Sequence, residues 1–301
     1  MAGSIKIGTL FGIPVLLHWS FLLAIPLFAW IIGTDISISS SFVFDTLGIH
    51  GQNTSLITEG WNPYVLGVFV SLALFFCVLV HELAHCVVAL RRGIKINSIT
   101  LLILGGVSSI ENEFPDPRDE LPMSLAGPVT SLGLGIASWI VVLTAIPVIR
   151  NPPVGGVIVF LFGYLALLNL ILFAFNLLPA FPMDGGRVLR AWLARRMPLA
   201  RATKIAADVG KAFAFIFVIV GFFILNFVLI IIGIFIYLGA DQEFYAVRTT
   251  VLLRDVAVAD VMTTSLITVP PAMPVPEVLR LMYSTKHLGF PVVDAGMLVG
   301  M

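Results

Sequence analysis

The sequence predicts an all-α polytopic membrane protein of six transmembrane helices, with a small membrane-associated β-hairpin or strand element and a partial α/β tail. Three observations lead there. Of 301 residues, 59% are hydrophobic and 11% charged, with a mean hydropathy of +1.05, whereas soluble domains carry about 25% charged residues. Several apolar runs reach the roughly 20 residues a helix needs to cross a hydrocarbon core. After Asp241 the composition turns to that of a soluble segment. The 17 basic and 17 acidic residues cancel, so no basic field points to nucleic acid. Cys77 and Cys86 share one helical run and lie about 13 Å apart at ~1.5 Å rise per residue, beyond disulfide reach. The first apolar run is long and lacks a small-residue cleavage site, so no signal peptide is expected.

The first apolar run covers residues 15–33, and the polar stretch 34–62 reads as a loop. The second run, 63–90, ends at Arg91-Arg92-Gly93. Residues 94–110 are β-branched and broken by Gly105-Gly106, too short for a span, and read as a hairpin or re-entrant strand. The acidic, proline-marked segment 111–120 reads as a surface loop. Spans three and four cover 121–148 and 155–178. The uncharged stretch 212–240 carries Gly221 and Asn226 near its middle, which suggests two short spans joined by a tight turn, one long tilted helix being the alternative.

Basic residues set the topology. Arg91, Arg92 and Lys95 follow span two, and Arg187, Arg190, Arg195, Arg196, Arg201, Lys204 and Lys211 lie between spans four and five. Six spans with both termini cytoplasmic put all of these inside and leave Arg150 outside, as the positive-inside rule requires. The expected division is a transmembrane core over 1–245 and a cytoplasmic segment over 246–301. In that segment a short strand, a helix over 277–283 and two strands at 290–293 and 297–301 are expected. About 40 residues are too few for an independent core, so the chain reads as stopping inside a domain.

The chemistry is carried by His81-Glu82-Leu83-Ala84-His85 inside span two. On a helix, positions i and i+4 share a face, so both imidazoles reach one metal ion. Glu82 is placed to take a proton from a water activated by that metal. Titratable side chains in an apolar helix are costly and mark functional sites, although a polar cluster binding neighbouring helices is the alternative. A catalytic zinc has three protein ligands and an open position. The candidate for the third is Asp184, on the break after span four made by Pro179, Pro182, Gly185 and Gly186. A helix cap or an ion pair with Arg187 is the competing role for Asp184. His18 in span one reads as a hydrogen-bonded packing residue or the lining of a water path.

The motifs resemble the site-2 protease family of intramembrane zinc metalloproteases. The likeness rests on His81-Glu82-Leu83-Ala84-His85 and on Asn176…Pro179…Pro182…Asp184-Gly185, with Ser124-Leu125-Ala126-Gly127-Pro128-Val129 between them and Gly12-Ile13-Pro14-Val15 before the first span. It covers residues 5–245. The resemblance implies hydrolysis of peptide bonds in transmembrane protein substrates within the lipid bilayer of the cell membrane. It also implies one Zn2+ held by His81, His85 and Asp184, with Glu82 as base and acid. Asn176 matches the position thought to orient substrate or stabilise the oxyanion; an interhelical hydrogen bond is its alternative role. The strand 96–110 could hold an unwound substrate by β-augmentation.

Through Val261-Met262-Thr263 and Gly289-Phe290-Pro291-Val292-Val293, the tail resembles the start of a CBS (cystathionine-β-synthase-type) domain. Such domains commonly bind adenine nucleotides, but here only part of one repeat is expected, so nucleotide binding would require its completion. The pairing of core and tail suggests a prokaryotic subgroup. A transporter or channel regulated by the tail, using the break at 179–184 as an ion site, is the alternative class. It has no need of the His-Glu-x-x-His spacing. A non-haem iron oxygenase would also accept two His and a carboxylate, but it leaves Glu82 without a task.

Overall fold

A computed structural model describes residues 3–46, 48, 54–102, 105–110, 116–148, 152–253 and 256–301. The chain opens with two strands, β1 (Ser4–Leu10) and β2 (Ile13–His18). They form a hairpin whose turn residues Phe11 and Gly12 both have positive φ, 51° and 80°. That turn matches the right-handed twist of the flanking strands. β2 runs parallel to β3 (Ile96–Leu102), which pairs antiparallel with β4 (Gly105–Ile110), giving one mixed sheet in the order β1-β2-β3-β4. The hairpin expected at 94–110 is present; the β1–β2 pair was not foreseen, since residues 15–18 read as the start of a span.

Helix α1 (Trp19–Thr34) is capped by His18, whose Nδ1 accepts from the Ser20 N–H at 3.2 Å. The capping contact gives His18 a structural role. α1 breaks at Asp35 and bends by 76° into α2 (Ile36–Thr46). The segment 34–62, expected as a loop, therefore holds α2 and a further turn, α3 (Ser55–Thr58). The reason is local. Ile36, Val43, Phe44 and Ile57 are buried against Leu66, Val70, Val142 and Phe160, so apolar side chains spaced through a polar stretch dictate helix.

Five more long helices follow the first pair: α4 (Asn62–Arg91), α5 (Pro117–Val148), α6 (Pro152–Asn176) and, after the short α7 (Asp184–Ala194), α8 (Leu199–Phe223) and α9 (Phe227–Leu253). These five are long and apolar enough to cross a membrane, and the bent α1–α2 pair, a broken span or a re-entrant loop, brings the count to six when taken as one span. The expected split of the 212–240 stretch falls between α8 and α9. There Leu225 has φ 54° and Asn226 Oδ1 accepts the Leu229 N–H at 3.0 Å, capping α9. Phe215, Phe222, Phe223, Phe227 and Ile231 stay exposed on this pair, an apolar outer face that suits hydrocarbon rather than water.

Small residues set helix spacing, as in other membrane bundles. Gly67 on α4 lies against the Ala29 backbone of α1, where a Cβ would come within 2.9 Å of Ala29 Cα. The segment 111–120 departs from expectation at its end. Residues 111–115 lie outside the described set, as do His50, Arg150 and Arg254, whereas Glu120 sits in the first turn of α5 and is only 2% exposed. Its burial follows from a partner, Arg190, that composition alone does not pair with it.

By contacts the chain forms two units, Met1–Thr249 and Thr250–Met301. The second holds α10 (Val258–Val261), α11 (Val275–Thr285), β5 (Val292–Asp294) and β6 (Met297–Gly300), with Val269 bridging Val292 in parallel. The expected helix and the two strands near 292 and 298 are present.

Replacing Gly67 by Ala is expected to separate α1 from α4 and destabilise the fold by about 1–3 kcal/mol. A lowered melting temperature in detergent would report it; an unchanged one would mean that the α1–α4 contact is not tight.

Candidate metal centre

The site is assembled by α4, the break between α6 and α7, and the facing surface of α5. On α4, His81 and His85 lie one turn apart with their rings edge to face. Each ring is fixed from behind by α5. His81 Nδ1 is 2.8 Å from Ser131 Oγ, and His85 Nδ1 donates to the Met123 carbonyl oxygen at 2.7 Å. In a neutral His85 that donates from Nδ1, the Nε2 lone pair faces the site, and the Ser131 hydroxyl can accept from His81 Nδ1 in the same way.

Asp184 comes from the other side. α6 stops at Asn176, Pro179 and Pro182 follow, and the chain re-enters helix at Asp184, the first residue of α7. The return is tight. A Cβ on Gly185 would overlap the carbonyl oxygens of Leu177 and Leu178, and one on Gly186 would crowd the Phe181 nitrogen. Two residues without side chains are thus what lets the carboxylate turn toward α4.

Three ligand atoms meet there. His81 Nε2 and His85 Nε2 are 3.1 Å apart, and Asp184 Oδ2 is 3.2 Å from each. Ligands at about 2.0–2.1 Å from a tetrahedral zinc are separated by about 3.3 Å, so the triangle has the size of one face of such a site. Two lone pairs and a carboxylate facing one another at this distance repel unless a cation sits among them. Among the described residues this is the one group of three His, Cys, Asp or Glu side chains close enough to hold a metal ion.

Glu82 points to a different neighbour, β4. Ser108 Oγ donates to Glu82 Oε2 at 2.8 Å, and the Cys86 thiol in turn approaches Ser108 Oγ at 3.5 Å. One carboxylate oxygen is thus held by β4, and Glu82 lines the cavity. Gly106, also on β4, lies so close that a Cβ would overlap the Glu82 side chain. Gly127 on α5 does the same at the metal triangle, where a Cβ would collide with both imidazole Nε2 atoms.

His81, Glu82, His85, Asp184, Gly106 and Ser108 line one cavity of about 740 Å³, which Arg187 and Ser124 also border and whose other walls are largely apolar, with Phe28, Phe75, Leu172 and Phe235. Asn176 lines it too, with its amide donating to the Leu172 carbonyl of its own helix at 3.0 Å; that amide carries a second N–H. All five residues singled out from the sequence (His81, Glu82, His85, Asn176 and Asp184) therefore border one space. Reading the sequence missed the residues that aim them: Ser131, Met123, Ser108 and Gly106. Part of the signal was present. Ser124, Gly127 and Ser131 are spaced by three and four, the small-residue stripe of a close helix contact, but nothing in a stripe tells which helix it meets.

Gly127→Ala is expected to abolish metal binding, and Ser131→Ala to weaken it about tenfold. Gly106→Ala is expected to retain the metal while moving Glu82 and losing activity. Metal content of the purified variants separates the three; full metal in Gly127→Ala would contradict the packing described.

Known proteins resemble this chain throughout. The model of Peptidase family M50 matches residues 69–151 and 150–217, and that of the CBS domain matches 258–301. A zinc metalloprotease of Methanocaldococcus jannaschii is 37% identical over 99% of this chain and 77% of its own length. The Rip3 protein of Mycobacterium tuberculosis is 33% identical over 98% of this chain and 72% of its own. The solved structure of a site-2 protease from Methanocaldococcus jannaschii superposes with a TM-score of 0.52 at 36% identity, covering 80% of this chain and 95% of that one.

Proposed function

The chain belongs to the site-2 protease family (peptidase family M50), and on that premise we propose that it hydrolyses peptide bonds within transmembrane segments of other proteins. It is a multi-pass membrane protein and a zinc metalloendopeptidase carrying a CBS segment. His81, His85 and Asp184 are proposed as the zinc ligands, Glu82 as general base and acid, and Asn176 as a substrate or oxyanion contact. The observation that carries this reading is the triangle of Nε2, Nε2 and Oδ2 atoms at 3.1–3.2 Å beside a carboxylate not used in it.

The residues fit a zinc ion. Two neutral imidazoles and one carboxylate are a known catalytic donor set that leaves a position open, and both imidazoles are locked from behind. When bound, zinc acidifies a water toward a pKa of about 7 and polarises the scissile carbonyl. The rest falls to the chain's own groups. Ser108 fixes Glu82 through Oε2, so Glu82 Oε1 takes the proton of the attacking water and returns it to the leaving amine nitrogen. The Asn176 amide is within the same cavity to donate to the carbonyl oxygen as negative charge builds on it.

A protease must hold its substrate extended. Among the described residues β4 pairs only with β3, so its other edge is available for a substrate strand. Gly105, Gly106 and Ser108 of β4 line the metal cavity, which brings a captured strand to the reacting groups. The proposed division is a metalloprotease core over 1–245 and a cytoplasmic regulatory CBS segment over 246–301, with both termini cytoplasmic. Adenine nucleotide binding by that segment would need a complete CBS domain.

The test compares zinc content and cleavage of a transmembrane substrate in detergent across three forms. Wild type is expected to hold about one zinc and cleave. Glu82→Gln should keep zinc and lose activity by a factor of about 10²–10⁴, the usual worth of a general base. Asp184→Ala should lose zinc. Normal cleavage by Glu82→Gln would remove it as the base, and a wild type without zinc would end the protease reading.

A further inference from the structure

Outside the metal triangle the bundle buries a second charged cluster, and its place points to a task. Arg190 on α7 is 3% exposed. Its Nε donates to Glu120 Oε1 at 3.0 Å, its Nη2 pairs with the same oxygen, and its Nη1 donates to Glu243 Oε1 at 2.6 Å. The guanidinium also lies over the Phe181 ring, 5.2 Å from its centroid. Glu120 belongs to α5 and Glu243 to α9, so one side chain ties three helices.

On α7, Val188, Leu189 and Leu193 are half-buried. Its buried residues are Gly185, Gly186, Arg190 and Ala191. Two glycines and an alanine contribute almost no apolar area, and Leu189 adds a partly buried contact with Phe181 and Ala206. Arg190 is the one large side chain among those buried on this helix, and the first residue of the helix is Asp184. α5, the partner it grips through Glu120, also carries Ser131 and Met123, which orient the two imidazoles. An error in the placement of α7 on α5 is therefore an error in the metal triangle itself.

We infer that Arg190, through Glu120 and Glu243, is the positioning residue that holds Asp184 at the distance zinc requires. The inference rests on the proposed role of Asp184 as a zinc ligand. Removing one partner of a buried charge pair leaves the other uncompensated, so the effect should be sharper at the fully buried Glu120 than at Glu243, whose side chain is 24% exposed. Lys cannot reproduce the fork that reaches two carboxylates at once, so Arg190→Lys keeps the charge and loses the geometry.

The experiment measures zinc affinity by chelator competition in detergent, with thermal melting of the same samples. The variants are Arg190→Lys, Glu120→Gln and Glu243→Gln. Val142→Ala, in the separate cluster around Phe160, controls for general loosening, and Asp184→Ala controls for the ligand assignment. Arg190→Lys and Glu120→Gln are expected to bind zinc roughly tenfold more weakly, and Glu243→Gln to shift it less. Val142→Ala should lower the melting temperature without moving zinc affinity. Folded Arg190→Lys and Glu120→Gln with wild-type affinity would overturn the inference, as would an equal loss in Val142→Ala. If Asp184→Ala itself keeps wild-type affinity, the ligand assignment fails instead, and the positioning role with it.

Discussion

Three electron-pair donors, two from one helix and one from a broken helix elsewhere in the chain, face one another at 3.1–3.2 Å. That contact is repulsive without a cation and strongly attractive with one. Structural zinc binding is worth on the order of 10 kcal/mol, whereas a polar contact between helices in a membrane is worth about 0.6. On the proposed ligand assignment, the fold keeps a metal triangle open beside a largely apolar cavity.

Much of the surrounding structure serves that end by leaving atoms out. Gly127 and Gly106 stand where any side chain would strike the imidazoles or the Glu82 carboxylate, and Gly185 and Gly186 permit the return of the chain at Asp184. The polar contacts then fix orientation. Ser131 and Met123 hold the imidazoles, Ser108 holds Glu82, and the Arg190 cluster fixes the helix that begins at Asp184. Ser131, Met123 and Ser108 come from elements other than those they aim, and Arg190 acts through Glu120 of α5 and Glu243 of α9, so the site's geometry is a property of the bundle rather than of any one helix.

The helical spans and the His-Glu-x-x-His face were legible because both are periodic and local. Asp184 was legible for a related reason. Two prolines and two glycines announce a broken helix, and the acidic residue on it had few alternatives. What could not be read depends on contacts between distant parts of the chain. Strand β1–β2 was hidden in a run that looks like the start of a span, and α2 in a stretch whose few apolar residues looked like loop. Glu120 looked like a surface acid because its proline-rich neighbourhood is polar, and only the position of Arg190, seventy residues on, explains its burial. Ser108 and Ser131 are ordinary serines until the helix and strand facing them are known.

The most direct measurement is X-ray absorption at the zinc edge of the purified wild-type protein. The account predicts a first shell of light atoms only, at about 2.0–2.1 Å, with the multiple scattering of two imidazoles. A sulfur neighbour at about 2.3 Å, which would bring in Cys86, or a shell containing fewer than two imidazoles, would contradict it.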